Sequence, residues 1–241
     1  MDRMIYLSMA GAKATMQRQD VLANNLANAS TTGFRAELQA FRAVPVRGDG
    51  ASTRVYALET TTGYDATPGA VAATGRPLDV AMQGIAWLAV QGLDGTEAYT
   101  RMGSLQVGPD GTLATAGGLT VMGDGGPIAI PPNTEASIAP DGTVSVRQAN
   151  GTVNGVGRLK LVTPEAPLAR GAEQAVGADG DLPADPNARL QDGALEGSNV
   201  NPIENMVAMI AAARQFEAQM KMVQTAERDE QAASRLLSMN P

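Results

Sequence analysis

Residues 201–223 read NPIENMVAMIAAARQFEAQMKMV, and their spacing decides the fold. Asn201 can cap a helix, Pro202 suits the first helical position, where its missing N–H is not needed, and Glu204 can reach back to complete a capping box. Met206, Met209, Ala213, Phe216, Met220 and Val223 then recur at alternating steps of three and four, the rhythm of a helix that buries a narrow stripe against other helices. Continued to Met239, the helix is about 57 Å long. Its seam weakens at Glu227 and Glu230 and recovers at Leu236 and Leu237.

The opposite end of the chain repeats the pattern. From Asp2 to Asn28 a second helix, roughly 40 Å long, carries Ile5, Met9, Ala12, Met16, Ala23 and Leu26 on one seam that only Gln19 interrupts. Two helices of unequal length with alanine-rich seams pack thinly on each other and leave apolar surface uncovered. Both seams are therefore expected to face neighbouring molecules. The alternative is an ordinary intramolecular pairing of the two ends.

Between the helices the reading changes to strands and turns. Residues 37–75 alternate apolar and polar side chains among Pro45, Gly48, Gly50, Gly63, Pro68 and Gly69, and read as an extended arm. Residues 76–163 read as a central all-β domain, with strands such as Leu78–Met82 and Ile85–Val90 separated by Asp94-Gly95, Asp110-Gly111, Asp124-Gly125, Asp141-Gly142 and Asn150-Gly151. That spacing suits a small sandwich or barrel rather than βαβ units. Residues 164–200, rich in Pro, Gly and Asp, read as an extended return arm beside the first. The expected fold is thus α+β, with terminal core helices in residues 1–36 and 201–241 framing arms and a β domain.

Composition narrows the chemistry. The chain has no cysteine and no histidine, which excludes thiol nucleophiles, disulfides, imidazole-based triads and the usual zinc sites. Aromatics make up only 3% of residues, so the core must be aliphatic, while 12 methionines suit surfaces that repack against several partners. Residues 1–36 hold four bases and two acids and residues 202–241 four and five, so the net charge of −7 sits mostly in the middle. With no basic run, no nucleic-acid partner is expected, and no apolar run reaches the ~18 residues of a membrane span. Met4–Ala12 fits a secretory signal poorly: it is short, Asp2 offsets Arg3, and the helical seam runs through the would-be cleavage site. Export without a cleaved signal is the expectation.

Three asparagines, Asn24, Asn25 and Asn28, lie late in the first helix before Ala29-Ser30-Thr31-Thr32-Gly33-Phe34-Arg35. The turn chemistry points to a helix end with Phe34 tucked beneath it, and the adjacent seam suggests that Asn25, Asn28, Gly33 and Phe34 also meet partners. Asp79, Glu97, Asp110, Asp124 and Asp141 could in principle pair as a glycan-cleaving acid and base, giving a periplasmic cell-wall enzyme as a competing hypothesis. Aspartate before glycine, however, is most often a turn residue. A secreted adhesion module is a third, weaker reading. No catalytic residue, metal ligand or cofactor site is expected.

Asn24-Asn25-Leu26-Ala27-Asn28 leading to Thr32-Gly33-Phe34-Arg35, with Leu195-Glu196-Gly197-Ser198-Asn199-Val200 leading into the last helix, resembles the rod and hook proteins of the bacterial flagellum. Arg76-Pro77-Leu78-Asp79-Val80-Ala81-Met82-Gln83-Gly84 and Tyr99-Thr100-Arg101-Met102-Gly103-Ser104 resemble that family's β-domain signatures. Phe41-Arg42-Ala43-Val44-Pro45-Val46 and the ending Leu237-Ser238-Met239 look most like its proximal rod members, with distal rod members next. The resemblance implies terminal helices that pack with those of neighbouring rod proteins and of further copies into a hollow helical rod, β domains outside. It also implies delivery by the flagellar type III export apparatus to the periplasmic part of the basal body.

Overall fold

The computed structural model describes residues 2–45, 55–165, 168–170, 176–177 and 180–238. Val46, Met239 and parts of both arms therefore lie outside the described residues. The fold is mixed α+β, an N-terminal helix and a C-terminal helix with a strand-rich region between. The chain divides into two compact units: Met1–Ala27 with Glu37–Thr62 and Asn201–Pro241, and Asn28–Ala36 with Gly63–Val200.

The first unit holds helix α1, Asp2–Ala27, helix α2, Pro202–Ser238, and a two-stranded sheet of β1, Glu37–Pro45, and β2, Val55–Tyr64, the last two residues of β2 being counted with the second unit. Asn201 caps α2 as its position suggests, its Oδ1 accepting from the Ile203 N–H at 3.1 Å and the Glu204 N–H at 3.3 Å. Glu204 is exposed, and a separate bond reaches back to the cap from Asn205, whose Nδ2 donates to the Asn201 carbonyl at 2.9 Å. Gly11 of α1 lies against the side-chain amide of Gln219. Roughly the same length, ~25 Å, separates Gly11 from the end of α1 and Gln219 from the start of α2. Because the segments that follow α1 and precede α2 are bonded together, Asn199 N–H to Phe34 carbonyl at 3.3 Å, the two helices run antiparallel.

The second unit is built from short strands. The largest sheet has five, in the order Leu161–Val162, Trp87–Gln91, Glu97–Thr100, Val176–Gly177, Ala169–Arg170. Glu135–Ile138, Thr143–Arg147 and Val153–Arg158 form an antiparallel three-stranded sheet. The return segment pairs twice, Leu190–Asp192 with Val80–Met82 and Ala194–Glu196 with Val71–Ala73. Among the described residues the strands form several small sheets, not the closed barrel that the hairpin spacing allowed. The reason lies in the turns. Gly92–Thr96, Gly108–Thr112, Ala139–Thr143 and Gln148–Thr152 each close a five-residue loop in which the first N–H donates to the fifth carbonyl, at 2.8, 2.8, 2.9 and 3.0 Å. The fourth residue is a left-handed glycine each time, with φ between 79° and 86°. So many tight reversals leave strands too short to wrap a barrel.

The core between these sheets is aliphatic: Val80, Leu88, Val90, Leu105, Leu113, Val121 and Val144 are fully enclosed. A smaller aromatic cluster joins Trp87, Tyr99 and Tyr64, the Tyr64 and Trp87 rings meeting edge to face at 5.6 Å.

Candidate assembly surface

Within the helical unit the buried line on α1 runs through Ser8, Ala12 and Thr15, with Ile5, Leu22 and Leu26 half-buried. On α2 it runs through Ala212 and Ala226, with Asn205, Met209, Phe216, Gln219 and Val223 half-buried. Both lines have the three-four spacing of a paired helix, yet they coincide with the apolar seams only at alternate steps. Ile5, Ala12, Leu26, Met209, Phe216 and Val223 belong to the intrachain contact. Met9, Met16 and Ala23 on α1, and Met206, Ala213 and Met220 on α2, sit one residue further round.

Side-chain size explains the offset. Serine, threonine, glycine and alanine let the two backbones approach closely, and the hydroxyl that would otherwise be stranded is satisfied locally, Thr15 Oγ1 donating to the Gly11 carbonyl at 2.8 Å. The bulkier methionines are left outside: Met9 is 56% exposed, Met16 53%, Met206 49% and Met220 39%. Tyr6, Ile203, Val207, Ile210 and Met222 are exposed as well. A helix pair that conceals small residues and displays large apolar ones is incomplete by itself.

The asparagine motif closes the end of α1. Asn25 is buried, its Oδ1 accepting from the Glu37 N–H at 2.8 Å and its Nδ2 donating to the Glu37 carbonyl at 3.0 Å, so one side chain imitates a strand partner for β1. Asn24 donates to the Glu37 carboxylate at 3.1 Å. In the second unit, Asn28 Oδ1 accepts from the Thr31 hydroxyl at 3.1 Å, Phe34 is buried, and Gly33 adopts φ 70° with the Arg101 carbonyl where a Cβ would stand.

The second unit also contains a buried ionic clasp whose role the sequence did not disclose. Glu196 accepts from Arg35 Nη2 at 2.6 Å and the Gly69 N–H at 2.9 Å through Oε1, and from Arg101 Nε at 2.7 Å through Oε2. Its own carbonyl accepts from the Gly33 N–H at 2.8 Å. Arg101 also donates to the carbonyls of Met82 at 2.8 Å, Gly84 at 3.0 Å and Ala86 at 2.7 Å. Burial lowers the Arg101 pKa from its ordinary value and the Glu196 carboxylate works against that fall. The charges are thus held by partners and not by water. Three segments distant in sequence, each carrying one of the recognisable motifs, converge on a single carboxylate.

Four of the five carboxylates weighed for catalysis, those of Asp79, Glu97, Asp110 and Asp141, are engaged elsewhere. Asp110 and Asp141 accept from the N–H and hydroxyl of Thr112 and Thr143 in the five-residue loops, as Asp94 does from Thr96. Asp79 accepts from the Thr74 hydroxyl at 2.7 Å and pairs with Arg76 at 3.0 Å. Glu97 pairs with Lys160 at 2.7 Å and accepts from the Tyr99 hydroxyl at 2.8 Å. Asp124 donates its N–H to the Arg158 carbonyl at 3.1 Å. Among the described residues no cluster of three carboxylates is arranged to hold a metal ion, and no helix is long and apolar enough to cross a membrane.

The paired terminal helices leave large apolar side chains exposed, whereas the strand-rich unit has a buried core of its own. The chain belongs to the flagellar basal-body rod protein family. Residues 5–35 match the model described as "Flagella basal body rod protein", 81–146 the "Flagellar hook protein FlgE/F/G D1 domain" and 191–236 the "Flagellar basal body rod FlgEFG protein C-terminal". Over the full length of both chains it is 49% identical to the flagellar basal-body rod protein FlgF of Salmonella typhimurium and 48% identical to that of Escherichia coli. Identity to the rod protein FlgG of Bacillus subtilis is 30%, over 93% of this chain and 95% of that one.

Proposed function

We propose that this chain is a structural subunit of the proximal part of the flagellar basal-body rod, polymerising through α1 and α2 and transmitting torque along the packed helices. The observation that carries the reading is the large apolar surface left on both helices once they have paired with each other. Similarity along the whole chain to proteins named FlgF supports the proximal position. Contacts that repeat head to tail without closing into a ring propagate as a helix, so further copies and other rod proteins are the partners. Delivery through the flagellar export apparatus to the periplasmic section of the rod, and a structural role without enzymatic activity, complete the proposal.

The test is Met220→Asp against Lys221→Gln. Burying a methionine contributes roughly 1.5–3 kcal/mol, and a carboxylate in its place adds a desolvation cost at each added subunit. Met220→Asp is expected to abolish motility with the subunit still exported, and Lys221→Gln to leave swimming unchanged. Normal swimming of the Met220→Asp strain at normal subunit levels would overturn the assignment of α2 as an interface.

A further inference from the structure

The chain contains two Asn-Gly pairs, Asn150-Gly151 and Asn154-Gly155, four residues apart and both exposed. In such a pair the glycine nitrogen can attack the asparagine side chain, because glycine has no Cβ to obstruct the approach. The fold treats the two pairs differently. Asn150 is third in the five-residue loop Gln148–Thr152, at the tip of the hairpin that joins Thr143–Arg147 to Val153–Arg158, whereas Asn154 lies within the second of these strands, opposite Val146. Room for a ring exists at both, since a Cβ on Gly151 or on Gly155 meets nothing within 4 Å.

The loop supplies what the attack needs. Asn150 Oδ1 accepts from the Thr152 N–H at 2.9 Å. When the Gly151 nitrogen adds to Asn150 Cγ, negative charge develops on that oxygen, and a donor already in place stabilises it as an oxyanion hole does. One backbone bond has to open, from the Gly151 N–H to the Gln148 carbonyl at 2.9 Å, and local opening is easiest at an exposed tip. At Asn154 the attack turns the peptide between Asn154 and Gly155. Gln148 and Thr152 are a bonded pair, so alternation makes Val146 and Asn154 the next one, and the turn breaks into the ladder beside the buried Val146. Among the described residues no donor is bonded to the Asn154 side chain.

The product has a place as well. Gly92–Thr96, Gly108–Thr112 and Ala139–Thr143 are the same loop with aspartate third, and Asp94, Asp110 and Asp141 accept from the threonine N–H at between 3.0 and 3.2 Å and from its hydroxyl at between 2.7 and 2.9 Å.

We propose that Asn150 is a site of spontaneous deamidation, at which the fold converts an Asn-Gly-Thr loop into the Asp-Gly-Thr form of its three counterparts. The Gly151 nitrogen gives its proton to solvent base and bonds to Asn150 Cγ. The bond from Cγ to the amide nitrogen breaks, and that nitrogen takes up a proton and leaves as ammonia, so that a cyclic imide remains. Water then adds to the imide and breaks one of its two C–N bonds: opening at Cγ gives aspartate, and opening at the main-chain carbon gives isoaspartate. Aspartate keeps the loop, whereas isoaspartate puts an extra methylene into the main chain and loses the closure between Gln148 and Thr152. Each conversion adds one negative charge to an exposed loop and requires only water.

Cleavage after Arg147 and Arg158 by trypsin releases both Asn-Gly pairs in one peptide, so fragmentation in a mass spectrometer reads the two sites in the same molecule. After the purified full-length chain has been kept at mildly alkaline pH, the mass gain of deamidation is expected at Asn150 several-fold ahead of Asn154. A chain held unfolded in urea should convert the two at similar rates. Asn150→Asp, the product made directly, is expected to melt with the parent. Equal conversion of the two sites in the folded chain, faster conversion of Asn154, or conversion of Asn150 only after unfolding would overturn the proposal. So would a preference for Asn150 that persists in urea, or an Asn150→Asp chain that melts well below the parent.

Discussion

The two units use apolar residues in opposite ways. In the β unit the large side chains are inside, with Tyr99, Leu88, Leu105 and Leu113 fully enclosed and even its charged clasp buried. In the helical unit the buried residues are Ser8, Ala12, Thr15, Asn25, Ala212 and Ala226, while Met9, Met16, Met206 and Met220 face out. One unit completes its core from its own chain. The other leaves large apolar side chains uncovered, and under the proposed function its core is completed by another molecule.

The largest effect that would break this contrast is expected at the clasp. Glu196→Ala strands two buried guanidinium groups, and removing one partner of a buried ion pair typically costs about 3–5 kcal/mol. Urea unfolding should show a loss of that size in the β unit, with Glu196→Gln intermediate. A loss below about 1 kcal/mol would mean that Arg35 and Arg101 find other partners and that the unit is less self-contained than its burial indicates.

A smaller effect distinguishes the two rows of the helix pair. Ala212→Met places bulk in the close intrachain contact and should destabilise the pair by roughly 1–3 kcal/mol, lowering the melting temperature of the helical circular-dichroism signal. Met206→Ala, one row over, should leave that signal of the isolated chain almost unchanged and act only on assembly. Equal effects from the two would erase the distinction between inner and outer rows.

That distinction also marks where the sequence was readable and where it was not. The start of α2 followed from Asn201 and Pro202, and the hairpins from aspartate-glycine and asparagine-glycine pairs, because these signals act over a few residues. The three-four rhythm identified the two helices, while their pairing with each other was only the alternative reading. It placed the seam through the methionines because hydrophobicity was counted, whereas close backbone approach selected Ser8, Thr15 and Ala212. The clasp was out of reach for another reason. Arg35 and Glu196 lie 161 positions apart and Arg101 and Glu196 lie 95 apart, and no local spacing relates them. The motif containing each residue was visible, but the meeting point was not. Five-residue loops repeated between strands could have argued against a barrel, had their reach been weighed against strand length.

Alkali should single out the β unit. Burial pushes the Tyr99 hydroxyl up to about 12, the Leu182 N–H bond opposes this, and Glu97 adds to the rise. In the unfolded chain the same group titrates near 10. Its contribution to stability is therefore complete below about pH 10 and lost as the pH climbs towards 12, where only the unfolded state readily gives up the proton. Tyr99→Phe removes this dependence and, with the bonds to Glu97 and Leu182 gone, costs on the order of 1 kcal/mol at neutral pH. Melting temperatures between pH 9 and about 12 that fall equally in both proteins would assign the alkaline sensitivity to another group.

The smallest expected effect lies at the acid end, in the loops that set strand length. Threonine hydroxyls hold the Asp94 and Asp110 carboxyls below the usual carboxylate range, and the Thr143 N–H does the same for Asp141. A depressed carboxyl contributes stability above its unfolded value near 3.9 and loses it as the pH falls through the folded value. These groups are exposed, so each contributes little and salt screens it. Replacing all three by asparagine keeps an acceptor in each loop, as Asn150 already shows by accepting from the Thr152 N–H at 2.9 Å. At neutral pH the triple variant should melt within a few degrees of the parent, and below about pH 4 its melting temperature should decline less steeply. Parallel decline in the two proteins would mean that acid acts first on other carboxylates.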